Sequence, residues 1–187
     1  MTKSKSGFLS FTRSAGREVA ANFSGGAISS DGGALLLREI DNKLGLTKQV
    51  ANILPDSRRQ SSITHDILTM LRQRVFGLAA GYEDLNDHDT LRNDIAIQTS
   101  VNSEKSLASS PTLCRFENSI PKEALFDIHR IFIQQFIDSY KPTPEELILD
   151  FDATDTILHG DQEGKIYHGY YHNHCFLPLH VFCDNQL

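Results

Sequence analysis

Two aspartates at the end of an apolar run are the residues whose type and spacing best suit chemistry. The run 147–149 leads into Asp150 and Asp152, and because side chains alternate along a strand, both carboxylates would lie on one face. Neighbouring carboxylates repel each other and are costly to bury unless a positive charge lies beside them. A bound Mg2+ or Mn2+ would supply that charge, since hard cations prefer carboxylate oxygens. The alternative is that the strand leaves the core at Asp150 and both acids are solvated.

Histidines and cysteines near the C-terminus suggest a competing zinc site. They are His159, His168, His172, His174, His180, Cys175 and Cys183. Their spacing matches no standard pattern of zinc ligands, and a hairpin rich in His and Tyr is more often a packed or exposed surface. With Cys114, the three cysteines contain no CxxC pair, which fits a reducing cytoplasm. We therefore favour the carboxylate pair over zinc.

The polar segment 81–89 is a second cluster of acids. It lacks the glycine and terminal glutamate of a calcium loop, so we interpret it as a connection in which Asp84, Asn86 and Asp87 bond to backbone amides. The chain also contains no GxxxxGK[ST], GxGxxG or GxSxG motif. That absence argues against a nucleotide cofactor and against serine-hydrolase chemistry.

Charge is distributed unevenly along the chain. The net charge of -6 argues, taken alone, against a nucleic-acid binder, because phosphate contacts need Lys and Arg. However, residues 1–17 contain basic and no acidic side chains, whereas residues 142–164 contain acids and neither Lys nor Arg. The basic side chains that could meet DNA are Arg58, Arg59, Arg72, Arg74, Arg92 and Arg115. For Arg72 and Arg74, salt bridges to nearby acids are an equally good interpretation.

Length and composition are those of a globular protein with one domain or two small ones: 187 residues, 40% hydrophobic and 22% charged. Residues 1–13 contain no continuous apolar segment, and the longest apolar stretch, near residues 75–82, is interrupted by glycines. It is too short to span a bilayer. We therefore expect a cytoplasmic protein with neither secretion signal nor membrane span.

Helical periodicity prevails as far as residue 140. Residues 1–28 should form a basic flexible tail with one short strand near residues 18–23, and a first helix should run from a cap within residues 29–31 to Gly45. A second helix is predicted over residues 62–80. Its buried stripe would consist of Ile63, Ile67, Leu68, Leu71, Val75, Leu78 and Ala79. Further helices are predicted at residues 84–93, from a cap at Ser109 before Pro111, and over residues 121–140.

The period changes from helix to strand after the prolines of residues 141–144. Strands are predicted at residues 147–154, 156–159, 165–171 and 176–183. The fold class is therefore α+β, with a helical domain at residues 29–143 and a second domain beginning at residue 144. Because the acids lie in the second domain and most arginines in the first, the two domains should have different functions.

Four longer motifs follow one another along the chain. They are SSDGGALLLR (29–38), LRQRVFGLAAGYEDLND (71–87), LASSPTLCRFEN (107–118) and LDFDATD (149–155), the last followed by His159-Gly160 and Gln162-Glu163-Gly164. Together they resemble the DDE group 1 transposases encoded by bacterial insertion sequences. The resemblance covers nearly the whole chain after about residue 15, and four motifs in order are a far stronger signal than any one of them.

The resemblance implies a helical DNA-binding domain for the inverted-repeat ends of a transposon, followed by a ribonuclease-H-like domain. In that domain an Asp, a second Asp and a Glu hold two divalent cations, Mg2+ or Mn2+. Asp152 matches the first Asp, because Asp152-Ala153-Thr154 fits the Asp-x-Thr that ends the family's first strand, and Asp150 is the second choice. The implied reaction is in-line attack on a phosphodiester between cations about 3.5–4 Å apart.

The sequence departs from the family where the other two acids should follow. Few residues remain after Asp152, and Asp184 stands where the family has an ordinary strand-end residue. We therefore expect residues 144–187 to be a truncated start of the ribonuclease-H-like domain, inactive by itself. Its last strand would leave a bare sheet edge, which predicts instability or a homo-oligomer.

Two other functions share parts of this pattern. A catalytically inactive protein that binds transposon ends would keep the same residues without cleaving DNA. A small independent metal-dependent nuclease would use Asp150, Asp152 and Asp155, with no preference for transposon ends. Strand transfer by the purified chain would exclude the first, and nicking that disappears in Asp152→Ala would support the second.

Overall fold

The structure is a computed structural model that describes residues 8–23 and 31–183. The chain divides into two compact units, Met1–Ile131 and Phe132–Leu187. Helices and small antiparallel sheets make the fold class α+β, as predicted. No helix in the described ranges combines the length and the apolar character needed to cross a membrane.

Unit 1 is mainly helical. Its elements are β1 (Leu9–Ser14), β2 (Arg17–Ala21), α1 (Ala34–Leu44), α2 (Leu46–Ile53), α3 (Ile67–Ala79), α4 (His88–Leu91), α5 (Ile95–Ser100), α6 (Ser110–Asn118) and the first half of α7 (Ala124–Ser139). A 3-10 turn, Gln60–Ser62, precedes α3, and another, Leu85–Asp87, precedes α4. The predicted helix at residues 84–93 is thus a turn followed by a short helix.

The segment expected to be a flexible tail forms a hairpin where the structure describes it. Strands β1 and β2 pair antiparallel. Arg38 of α1 stabilises the hairpin, because its Nη2 donates to the carbonyl oxygens of Thr12 and Arg13 at 2.8 and 3.1 Å. β2 agrees with the short strand predicted near residues 18–23, whereas β1 and its pairing with β2 correct the expectation of a tail over residues 8–23, because the stabilising partner is distant in sequence. Residues 1–7 and 24–28 lie outside the described ranges.

Helix ends follow local capping residues, some predicted and some not. Gly45 ends α1 as predicted, in the left-handed conformation with φ 66°, which glycine adopts without steric cost. Ser109 precedes α6, with Pro111 in its first turn, also as predicted. Helix α3 begins later than residue 62, because the Asp66 carboxylate accepts a hydrogen bond from the Thr69 amide at 2.7 Å and caps it. The first helix has Gly33 at its cap position instead of a residue within 29–31, two of which lie outside the described ranges.

The buried face of α3 differs from the predicted stripe. The buried residues are Met70, Gln73, Phe76 and Gly77. Val75 and Leu78, which were expected inside, are 40% and 46% exposed. Ile67 and Leu71 of the predicted stripe do pack against the core, but Val75 and Leu78 do not, because a polar residue lies at the centre of the buried face. The amide of Gln73 exchanges two hydrogen bonds with the backbone of Ala108, at 2.9 and 3.0 Å, which compensates for its burial.

Two hydrophobic clusters form the interior of unit 1. The first contains Val50, Leu54, Met70, Ala108, Leu113, Phe116 and Ala124, and the second contains Ala34, Phe76, Leu91, Ile97, Val101 and Leu107. Helix α3 contributes to both, so it is the central element of the unit. Ile128 and Ile131 of α7 still pack on the first cluster, which explains why the unit boundary falls within α7 and before the prolines of residues 141–144.

Unit 2 contains two small antiparallel sheets. Its strands are β3 (Asp150–Ala153), β4 (Thr156–Ile157), β5 (Ile166–His168), β6 (Asn173–Phe176) and β7 (Leu179–Phe182). β3 pairs with β7, and the other three strands have the order β4-β6-β5. The predicted strand at residues 165–171 ends early, and β6 is an additional strand. Within the described residues β7 has a neighbour on one side, so the predicted bare edge is present there.

Candidate functional site

Strand β3 carries the two aspartates that the sequence singled out. Asp150 lies opposite Phe182 of β7, and Asp152 lies opposite His180. Because one residue separates them in a regular strand, their side chains lie on the same face, as expected. Both residues are exposed, so neither carboxylate needs a cation to offset burial. This placement is compatible with a metal site and also with a simple solvated pair.

Hydrogen bonds hold the end of β3 against β7. The Thr154 hydroxyl lies 3.2 Å from Nδ1 of His180, and the Thr154 amide donates to the carbonyl oxygen of Pro178 at 3.1 Å. The Asp152-Ala153-Thr154 segment is therefore anchored at the residue that follows the strand. This anchoring limits how far the carboxylate of Asp152 can move.

A hollow of about 520 Å³ lies beside Asp150. Its lining contains a second carboxylate, Glu146, that the sequence analysis did not select. The Tyr140 hydroxyl, also in the lining, donates to Sγ of Cys183 at 3.3 Å. In the sequence, Glu146 differs from other acids of this segment only by standing immediately before the apolar run. Because the segment contains several acids, that position did not mark Glu146 as a candidate site residue.

The donor set of β3 suits a hard divalent cation but is incomplete. Mg2+ is commonly held by one or two carboxylates together with water and substrate phosphate oxygens. Asp150 and Asp152 could provide the two carboxylates. Among residues 8–23 and 31–183, no three His, Cys, Asp or Glu side chains come together in a geometry that would hold a metal ion. The chemistry of the pair therefore fits, and further ligands would be required.

The histidines and cysteines near the C-terminus mostly have structural contacts. Nδ1 of His172 lies 3.2 Å from the Tyr167 hydroxyl, and the ring of His168 packs against Tyr171. A hydrogen bond to Asp155, together with burial, raises the pKa of Cys175 to about 11, so its thiol stays protonated at neutral pH.

Two of the arginines predicted to contact DNA, Arg72 and Arg74, are largely buried in ion pairs within unit 1. Nη2 and Nε of Arg72 are 2.9 and 3.0 Å from Oδ2 of Asp41, and their side chains are 11% and 6% exposed. Nε of Arg74 is 2.5 Å from Oε1 of Glu117, and its other nitrogens donate to the carbonyl oxygens of residues 82 and 83. Both arginines therefore form salt bridges, the alternative considered in the sequence analysis, and neither belongs to the exposed basic surface.

The structure brings Arg58 and Arg115 together at one hollow, which Arg59 does not line. Arg58 forms two bonds of 2.7 Å with the Asp56 carboxylate, and this contact raises the pKa of Arg58 and lowers that of Asp56. Nη2 of Arg115 donates to the hydroxyl of Thr112 at 3.2 Å. Arg58, Arg92 and Arg115 all line this hollow. Arg59, which follows Arg58 in sequence, is exposed to solvent.

Comparison with known proteins supports the resemblance seen in the motifs. The family model for the transposase DDE domain, group 1, matches residues 11–187, which include both the arginines of unit 1 and the aspartates of β3. Neither a curated protein nor a solved structure gives a significant match. Since the family model spans most of the sequence, the chain belongs to the group 1 DDE transposase family.

Proposed function

We propose that this chain acts in DNA transposition, as part of a DDE transposase that cuts and joins phosphodiesters at the ends of an insertion sequence. The observation that carries the proposal is the pair Asp150 and Asp152, on one exposed face of β3 within the family-matched region. Exposed carboxylates can meet a phosphodiester that approaches from solvent. A regular strand also positions them more accurately than a loop would.

Asp152 is the proposed first ligand for Mg2+ or Mn2+, and Asp150 is the second. When bound, the divalent cations activate the attacking oxygen and stabilise the leaving oxygen of the phosphodiester. Thr154, through its bonds to Pro178 and His180, would keep Asp152 in place. Because no third ligand joins the pair in the described ranges, catalysis would need further metal ligands besides Asp150 and Asp152.

The two parts of the chain would have different functions, DNA binding and catalysis. Residues 29–143 would bind the transposon ends through exposed arginines, and residues 144–187 would carry the first metal-binding acids. Exposed apolar side chains support the second assignment, since Phe151 and Leu179 are 64% and 59% exposed and suit a sheet that another element covers. The DNA substrate would place the protein in the cytoplasm.

Binding of Mn2+ tests the carboxylate pair without requiring cleavage. Wild-type protein is expected to bind Mn2+ in calorimetric titration, and Asp152→Asn should bind it much more weakly because one ligand loses its charge. The matched control is Asp161→Asn, which removes an exposed acid from a turn of the same unit. Equal Mn2+ binding by wild type and Asp152→Asn would contradict the assignment of Asp152.

A second candidate is an inactive protein that binds transposon ends. It is favoured by the exposed arginines of unit 1, which could contact DNA without any metal. Strand transfer on an oligonucleotide that carries the transposon end, in Mn2+, distinguishes the two. The nuclease alternative is weakened because, among the described residues, Asp155 does not join Asp150 and Asp152 in a group that could hold a metal ion.

A further inference from the structure

A hollow of about 350 Å³ on unit 1 gathers three arginines. Its charged and polar lining consists of Arg58, Arg92, Arg115, His65, Ser62, Thr64, Ser109 and Thr112. We propose that this hollow binds a phosphate group, namely a phosphodiester of the DNA backbone, with Arg92 as the central contact. The identity of the ligand as DNA rests on the proposed function, whereas the affinity for phosphate rests on the hollow itself.

The positive charge of the hollow is only partly compensated. Asp56 offsets Arg58 through its two-point contact. The guanidinium of Arg92 has no hydrogen bond or ion pair within the described residues, and its Nε is shielded from solvent. Arg115 bonds within those residues to the neutral hydroxyl of Thr112. An unpaired, partly buried guanidinium is costly, and a bound oxyanion would remove that cost.

Two further carboxylates near the hollow, Asp66 and Asp89, accept backbone hydrogen bonds at the starts of helices. Asp66 accepts the hydrogen bond from the Thr69 amide that caps α3. Its charge is felt by His65, whose pKa is lowered by burial and by the charge of Arg92. The lowered pKa means that His65 is neutral at neutral pH, where it can donate to an anion with one ring nitrogen.

Side chains, and not the start of α6, would hold the anion. The Ser110 amide donates to Asp89, the Thr112 amide donates to the Ser109 carbonyl, and Pro111 has no amide hydrogen. The hydroxyls of Ser109 and Thr112 lie 3.1 Å apart and can turn toward a ligand. Guanidinium groups with adjacent hydroxyls match the donor pattern of phosphate recognition.

The size of the hollow limits what it can hold. Its volume lies at the lower end of the range for ligand sites, roughly 300–1,000 Å³. A phosphate group with an adjoining sugar fits such a space, and the rest of a duplex would lie outside. Contacts of this kind fix the position of DNA and carry no sequence information. The hollow would therefore set the register of the DNA on unit 1.

Thermal unfolding with added inorganic phosphate tests the hollow without DNA. Phosphate should raise the Tm of the wild-type chain by preferential binding to the folded state, and Arg92→Gln should abolish this rise. Arg130→Gln removes an exposed arginine of α7 outside the hollow and should respond as wild type does. Since Arg92 has no partner among the described residues, its variant should fold without phosphate at the wild-type Tm or above. A phosphate-dependent rise in Arg92→Gln equal to that of wild type would overturn the proposal.

Duplex DNA binding over a range of salt concentrations tests the DNA assignment. Arg92→Gln should reduce the slope of log Kobs against log salt by about one, which is the loss of one phosphate contact, while Arg92→Lys should restore most of it. If wild type binds DNA and Arg92→Gln leaves the slope unchanged, the inference is overturned and the proposed function remains intact. If wild type binds phosphate through Arg92 but does not bind DNA, the hollow holds free phosphate, and the proposed DNA role fails instead.

Discussion

The two units differ in how completely they bury their own side chains. Unit 1 has two apolar clusters and buries arginines in ion pairs, as Arg72 with Asp41 shows. In the described part of unit 2, the buried apolar side chains are Cys175 and Cys183, and Phe151 remains exposed on the strand that bears the aspartates. Unit 2, which contains the candidate metal ligands, thus buries less of its own apolar surface than unit 1 does. Burial of its own apolar side chains should therefore contribute more to the stability of unit 1 than to that of unit 2.

The largest expected effect is the loss of a buried phenylalanine from unit 1. Phe76 is 3% exposed, so Phe76→Ala should lower the free energy of unfolding by about 4 kcal/mol, from lost burial and the cavity left behind. Phe151 is 64% exposed, and Phe151→Ala should cost less than about 1 kcal/mol. Urea unfolding followed by helical circular dichroism reports on unit 1, and amide exchange in β3 reports on unit 2. Similar losses for both variants would remove the contrast between the units.

Ion pairs should show the same contrast with a somewhat smaller effect. Asp41 accepts hydrogen bonds from Arg72 and from the amide and hydroxyl of Thr47, so Asp41→Ala should cost about 3 kcal/mol by leaving a nearly buried guanidinium unpaired. Asp161, 97% exposed beside Lys165, is the control in unit 2, and Asp161→Ala should cost about 0.5 kcal/mol or less. The same urea titrations measure both. A cost for Asp161→Ala as large as that for Asp41→Ala would contradict the expectation.

Mild acid should weaken unit 1 through its buried histidine. Burial lowers the pKa of His88 below its ordinary value of 6.5, and the nearby charge of Arg74 lowers it further. The unfolded chain therefore takes up a proton at a higher pH than the folded protein does. Stability should fall as the pH drops below about 6.5 and level off below the folded pKa, with His65 acting in the same direction. Urea midpoints can be measured between about pH 8 and pH 5, a range that brackets the ordinary histidine pKa. They should depend less on pH in His88→Gln than in wild type. An equal dependence in both would show that His88 does not cause the loss of stability in acid.

Local signals in the sequence predicted several features correctly. Gly45 ends α1 because left-handed backbone favours glycine, and Ser109 with Pro111 begins α6 because that pair suits the first turn of a helix. The α+β class followed from the change of period near residues 141–144. Alternation along β3 placed Asp150 and Asp152 on one face. Each of these features depends on neighbours in sequence.

Long-range contacts decided what the sequence analysis missed. Gln73 lies in the core because the Ala108 backbone meets it, and the ring of His88 packs on Gly77 so closely that a Cβ there would lie 2.6 Å from Cε1. Neither partner is recognisable from the periodicity of α3. The hairpin at residues 8–23 was missed for the same reason, since Arg38 stabilises it from another element.

The sequence by itself determined the family, the class of the fold and the face of the aspartates, because motifs, capping and alternation are local properties of the chain. Only the tertiary structure decided which arginines are available to a ligand. Arg72 and Arg92 look equivalent in sequence, yet the fold pairs the first with Asp41 and leaves the second in a hollow without a partner among the described residues. The difference arises because charge compensation depends on which side chains the fold brings together, and folding joins residues far apart in sequence.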